Sequence, residues 1–186
     1  MRHHKAVMTL PHKGLTRDDL AALVPEDPDD GRRYELIDGT LIVTPAPGFR
    51  HQLLLARLLT RLALAAPQEL TVLVAPFAVG LGLDTEVQPD LLVAPTAAFT
   101  EKDLPGAPLL AVEILSPSTR LIDLNLKKAR YEIAGCDHYW VIDPINLRLI
   151  AWELVDGAYV QVADVTDTWT FEHPFPVTVT LTDLAP

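Results

Sequence analysis

Leu109-Leu110-Ala111-Val112-Glu113-Ile114-Leu115 is the segment that most constrains the fold. A strand with one wet face alternates apolar and polar residues. This one is apolar on both faces apart from Glu113, so it belongs at the centre of a sheet covered on both sides. Other segments can supply the cover. Leucines at 54, 55, 58, 59 and 62 recur at helical spacing, and Pro67 ends the pattern. Residues 50–65 therefore form an amphipathic helix with a wide apolar face. A second helix is expected over 121–134, with Gly135 as its C-terminal cap. A short one opens at Thr16, where Asp19 makes an imperfect capping box, and runs to about residue 23.

Turn chemistry locates the strands. Asp38-Gly39 separates the apolar runs 34–37 and 40–43, and Asp156-Gly157 separates 147–154 from 159–165. Both pairs suit the positive φ angles of a hairpin turn. Further strands are expected at 70–75, 91–93, 139–142 and near 177–181. Gly80-Leu81-Gly82 reads as a bend or bulge, 94–108 as a loop, and 25–31 as a polar loop. Residues 1–13, with His3, His4 and His12, read as a flexible tail. What remains, 14–186, is one α/β domain: an α+β mixed sheet with flanking helices. A chain of 186 residues suits one domain with a substantial core.

Composition narrows the function. Hydrophobic residues at 49% and charged residues at 22% describe a folded chain, not a disordered one. The longest apolar runs fall far short of a bilayer span, and Arg2 and Lys5 precede no apolar stretch of the secretory kind. Cys136 is the single cysteine, which excludes an intrachain disulfide and a cysteine metal cluster. A cytoplasmic protein with no membrane partner is expected. The net charge of −10 bears on nucleic-acid binding, which uses Lys and Arg to neutralise phosphates. Either the acidic excess sits away from the binding face, or the chain does not bind nucleic acid.

Glu113 is the most informative residue, because an ionised carboxylate in an apolar run is costly to bury without a partner. It faces solvent at a strand end, pairs with an arginine, or belongs to a site. Pro89-Asp90 opens another short apolar strand, and Pro-Asp is also a common turn pair. Two carboxylates on neighbouring strands would make a hard-oxygen site for Mg²⁺ or Mn²⁺. Asp123, Lys127 and Tyr131 follow at spacing i, i+4, i+8 on one helix face. That spacing gives either an exposed salt bridge of little worth or a lysine projecting toward the two carboxylates.

Pro89-Asp90 and Glu113-Ile114-Leu115 look like a PD-(D/E)xK nuclease site, except that Leu115 stands where that motif has its lysine. More of the chain resembles the Uma2-type restriction endonucleases, in which the lysine is displaced to the next helix. The matching segments are Tyr34-Glu35-Leu36-Ile37-Asp38-Gly39, His51, Pro89-Asp90 and Glu113 through Arg120. Asp123, Lys127, Tyr131, Gly135 and Tyr139-Trp140-Val141-Ile142-Asp143-Pro144 follow, so the likeness runs from Leu15 to Leu184.

The resemblance implies a restriction-endonuclease-like core and a Mg²⁺- or Mn²⁺-dependent endonuclease acting on DNA. It makes Asp90, Glu113 and the Ile114 carbonyl the metal ligands and Lys127 the residue that positions the attacking water. It adds Glu35 as a further acidic catalytic residue. His51, Asp123 and Tyr131 are secondary candidates, and Tyr131 and Trp140 suit a core or site wall better. A homodimer is expected, because a two-fold pair of sites matches the symmetry of a duplex. The rival readings are a non-catalytic binding or assembly module on this fold, and a metal hydrolase of small phosphates, which needs no basic groove.

Overall fold

The computed structural model describes residues 8–10, 14–24 and 31–185. The expected central strand is β9 (Leu110–Ile114), buried at every position. It lies in a six-stranded sheet of order β12 (Ala158–Val165), β11 (Arg148–Val155), β10 (His138–Asp143), β9, β7 (Leu91–Pro95) and β4 (Leu70–Val74). β9 runs parallel to β10 and antiparallel to β7, so the sheet is mixed. Strand alternation divides β9 between two cores. Leu110, Val112 and Ile114 pack with Leu54, Leu58 and Leu62 of helix α2 (Phe49–Ala65). Ala111 and Leu115 join the other core, and Glu113 shares their face.

The second core is not covered by helices alone, and the expectation of a single sheet is corrected here. A second six-stranded sheet has the order β1 (Met8–Leu10), β3 (Thr40–Thr44), β2 (Arg33–Ile37), β6 (Glu86–Val87), β5 (Ala78–Gly80), β8 (Asp103–Pro105). Its Ile37, Ile42, Val79, Val87 and Leu104 meet Leu92, Ala111 and Tyr139 of the first sheet. Strands β5, β6 and β8 are two or three residues long. That is too short for a period-2 pattern to register, and β8 falls inside the stretch read as a loop. A ribbon of β13 (Thr168–Phe171) and β14 (Val177–Thr180), followed by α4 (Leu181–Leu184), completes the cover over α2.

The local signals act as expected where they are strong. Asp38 and Gly39 adopt φ of 52° and 70°, and Asp156 and Gly157 adopt 51° and 80°. These are the two successive positive values that a type I′ hairpin requires. Helix α1 (Arg17–Leu23) carries a reciprocal capping box between Thr16 and Asp19 and closes Leu20 over Leu36, Leu41 and Val43. The helix expected over 121–134 is not uniform: Ile122–Lys127 forms a π turn that passes into α3 (Lys128–Ala134), ended by Gly135 at φ 82°. Of the expected tail, 8–10 pairs with β3 as β1, while 1–7 and 11–13, with all three histidines named there, lie outside the described residues. So does most of the expected loop, 25–30.

Cys136 is buried and packs as a small hydrophobe, and burial, ahead of the hydrogen bonds around it, pushes its thiol up to about 12. Asp143 closes the turn after β10. It accepts hydrogen bonds from the Ile145 and Asn146 amides, the Asn146 side chain and Arg120. Burial alone would raise its pKa, but Arg120 and the Asn146 and Ile145 donors outweigh that and hold it below the usual carboxylate range. A depressed folded-state pKa contributes stability above the ordinary carboxylate pKa that is lost as the pH falls. Asp143→Ala should therefore cost about 1–3 kcal/mol at neutral pH. The gap to wild type should narrow below about pH 4 in urea unfolding, and a gap constant across that range would refute the assignment.

Candidate active site

Four carboxylates gather on the inner face between the two sheets. Glu113 comes from β9 and Glu35 from β2 of the other sheet. Asp90 sits immediately before β7, and Asp123 comes from the π turn; each is 2% exposed. Leu91 of β7 pairs with Val112 of β9, which brings Asp90 beside Glu113 on one face of the first sheet. That placement agrees with the sequence reading.

Lys127 joins the sheets. Its Nζ lies 2.7 Å from Glu35 Oε1, 3.0 Å from Glu113 Oε1 and 3.9 Å from Asp123 Oδ1, and the residue is 3% exposed. The exposed i, i+4 salt bridge considered from sequence is thereby excluded. The wide π turn presents Asp123 and Lys127 inward together, a use of this rare geometry that recurs at functional sites. Glu35 also accepts from the Gln88 amide at 2.7 Å. Burial would lower the Lys127 pKa, but the Glu113, Glu35 and Asp123 carboxylates raise it, so the ammonium stays charged.

Asp90 has its own partners. Arg33 Nη1 donates to Oδ1 at 2.7 Å. The Ile114 amide donates to Oδ2 at 2.7 Å, and His51 Nε2 lies 3.0 Å from the same oxygen. His51, at the start of α2, is thus brought to the site. Burial pushes Asp90 up, but His51, Arg33 and the Ile114 amide together hold it below the usual carboxylate range. Glu113 goes the other way. Burial dominates, Lys127 offsets it only in part, and the neighbouring Asp123, Asp90 and Glu35 charges add to it, so its pKa stands well above the usual value. Asp123 is raised to about 6, chiefly by burial. Tyr131 makes no hydrogen bond to this network: it is fully buried, its ring packs tilted against that of Tyr139, and its hydroxyl has no partner among the described residues. Arg33 was not anticipated, because an arginine at the head of a strand carries no local sign of a partner dozens of residues away.

A cleft of about 1060 Å³ opens onto the Asp90 side of the cluster, with Arg33, His51, Gln88 and Asp90 in its walls and Tyr34 and Phe77 beside them. Glu113, Glu35 and Lys127 are not among its wall residues.

The family model of Uma2, described as "Putative restriction endonuclease", matches residues 18–183. The chain belongs to the Uma2 family. Its fold is similar to that of a "putative nuclease belonging to DUF820" from Anabaena variabilis ATCC 29413, known from a crystal structure. The TM-score is 0.71 at 19% identity, over 92% of this chain and 97% of that one. At that identity the likeness is one of fold. No curated protein matches in sequence. Among the described residues, no helix of this Uma2 chain is long and apolar enough to cross a membrane.

The Uma2 site can be tested for a divalent cation on its own chemistry. Four buried carboxylates face two permanent cations, Arg33 and Lys127, among the described residues. Their oxygens are the hard donors that Mg²⁺ and Mn²⁺ select. Burial first, and the neighbouring carboxylates after it, raise Glu113 and Asp123, and a divalent ion would favour their ionised forms. No three His, Cys, Asp or Glu side chains among the described residues converge as a ligand set. The residues present could thus hold an ion through at most one or two carboxylates, with water in its other positions, as Mg²⁺ commonly is held.

Proposed function

We propose that this Uma2 protein is a Mg²⁺- or Mn²⁺-dependent endonuclease that hydrolyses phosphodiester bonds of DNA. The observation that carries the reading is the buried carboxylate–lysine cluster reached from a cleft at Asp90. Asp90 and Glu113, with the Ile114 carbonyl, would hold the ion. When bound, the ion would polarise the scissile phosphate and lower the pKa of a coordinated water. Lys127 is the donor that would orient the attacking water, and Glu35 holds the lysine by ion pairing with its ammonium. His51 and Arg33 hold the Asp90 carboxylate in one orientation. Asp123 adds negative potential at Lys127. In the proposal the site belongs to a single domain of residues 14–186, and the protein works as a cytoplasmic homodimer whose two sites address the two strands.

The test is cleavage of plasmid, single-stranded DNA and RNA with Mg²⁺, Mn²⁺ and Ca²⁺ in turn and chelator as the blank. Cleavage is expected with Mg²⁺ and Mn²⁺. Ca²⁺, which is larger and acidifies water less, should bind without supporting it. Full activity in chelator would refute the metal, and no cleavage of any substrate would favour a binding module on this fold. Sedimentation as a monomer would refute the dimer.

A further inference from the structure

Resting on the nuclease reading above, we propose that Arg33 is a substrate-binding residue that takes a phosphate of the nucleic-acid strand on the part of its guanidinium that Asp90 leaves unused. Lys127 is enclosed by three carboxylates and is not a wall of the cleft, so it is poorly placed to meet an incoming strand. Arg17, which does line the cleft, is occupied by Glu86 at 2.8 Å and Asp103 at 2.6 Å. Arg33 differs from both. It lines the cleft, its side chain is 18% exposed, and its Nη1 donates to Asp90 Oδ1 and, at 3.4 Å, to the Gln88 carbonyl. Its Nε is buried and has no acceptor among the described residues.

A buried N–H donor without an acceptor is uncommon and unfavourable, and it leaves Arg33 with a donor that no described residue uses. The chemistry of a ligand for it follows from the donor. A guanidinium is a planar fork whose parallel N–H groups match two oxygens of one phosphate, which an ammonium cannot do. Because Asp90 anchors Nη1, the remaining donors are held at a fixed orientation beside the proposed metal ligand. The phosphate they bind would lie next to Asp90, which is where a scissile group must sit. The contact is directional and does not itself offset the acidic charge: the cluster holds more carboxylates than cations, so the proposed divalent ion would have to supply the local attraction.

The experiment measures the affinity of fluorescent single-stranded and duplex oligonucleotides in saturating Ca²⁺ across a salt series, for wild type, Arg33→Gln and Arg33→Lys. Loss of one phosphate contact lowers the slope of log affinity against log salt by about 0.7–0.9, a readout that a purely structural defect does not move. Arg33→Gln should show that drop, with binding weakened about tenfold or more. Arg33→Lys should restore the slope without the full affinity, because it keeps the charge and loses the fork. Asp90 retains His51 and the Ile114 amide in both variants, and melting curves check their fold. In wild type, the NMR resonance of the Arg33 Nε–H should move when oligonucleotide is added, which needs no variant. Wild-type binding with an unchanged slope in Arg33→Gln, or an unmoved Nε–H resonance, overturns the proposal and leaves the nuclease reading standing. Absence of wild-type binding to any oligonucleotide overturns both.

Discussion

Lys127→Met should destabilise the fold by about 3–5 kcal/mol in chelator, the cost of leaving buried charges without their counter-ion. The ammonium lies 2.7 Å from Glu35 and 3.0 Å from Glu113, carboxylates carried by different sheets. Methionine keeps most of the side-chain length and its packing, so the loss reports the charge and not a cavity. Each well-buried aliphatic neighbour contributes about 1.5–3 kcal/mol, so one uncompensated carboxylate offsets one or two of them. The check is equilibrium urea unfolding of wild type, Lys127→Met, Glu113→Gln and the double variant. Glu113→Gln should recover part of the loss when combined with Lys127→Met, giving a coupling energy well above the scatter of independent sites. A single variant within about 1 kcal/mol of wild type would mean that the contact has the small worth of a surface pair.

Asp90→Asn should lower turnover by about 10²–10³-fold or more while leaving the protein folded. Asparagine keeps an oxygen to accept from Ile114, as Asp90 does at 2.7 Å, but it removes the charge that a cation and Arg33 both use. Calorimetric titration with Mn²⁺ should lose its heat in parallel. The two losses arising together would tie the residue to the ion. Wild-type turnover in Asp90→Asn would remove Asp90 from the chemistry, and lost turnover with unchanged Mn²⁺ binding would assign it a role through Arg33 or His51 instead.

Much of this molecule was legible residue by residue. The Asp-Gly turns announced both hairpins because few other residues accept two successive positive φ angles. The leucine spacing announced α2, and the doubly apolar run announced β9. The second sheet was not legible, since β5, β6 and β8 carry too few residues for a pattern and exist only because the first sheet offers a face to cover. The site divides in the same way. Glu113 stood out as a charge among hydrophobes, and the family resemblance supplied Glu35, His51 and the displaced lysine. The Arg33–Asp90 bond was invisible, because nothing local in Gly31-Arg32-Arg33-Tyr34 distinguishes an arginine that turns inward from one that stays in water. The π turn was hidden too. An i, i+4 spacing predicts an ordinary helical pair, and only the tertiary setting widens the turn and buries both groups.

The bridge from Glu35 through Lys127 to Glu113 also ties the cluster to the docking of the two sheets. Its members come from an early hairpin, a central strand and the helix that follows it, so none of the contacts to Glu35 can form locally. Loop-closure entropy must be met before such distant pairs gain anything, and structures rich in them reach the native state slowly. Until the two sheets dock, Glu35, Glu113 and Lys127 remain hydrated and oppose closure of a dry interface around them. Docking of the sheets therefore carries the cost of desolvating an ion cluster. A chain whose two sheets have not docked thus lacks the assembled cluster, which arrives together with the native topology.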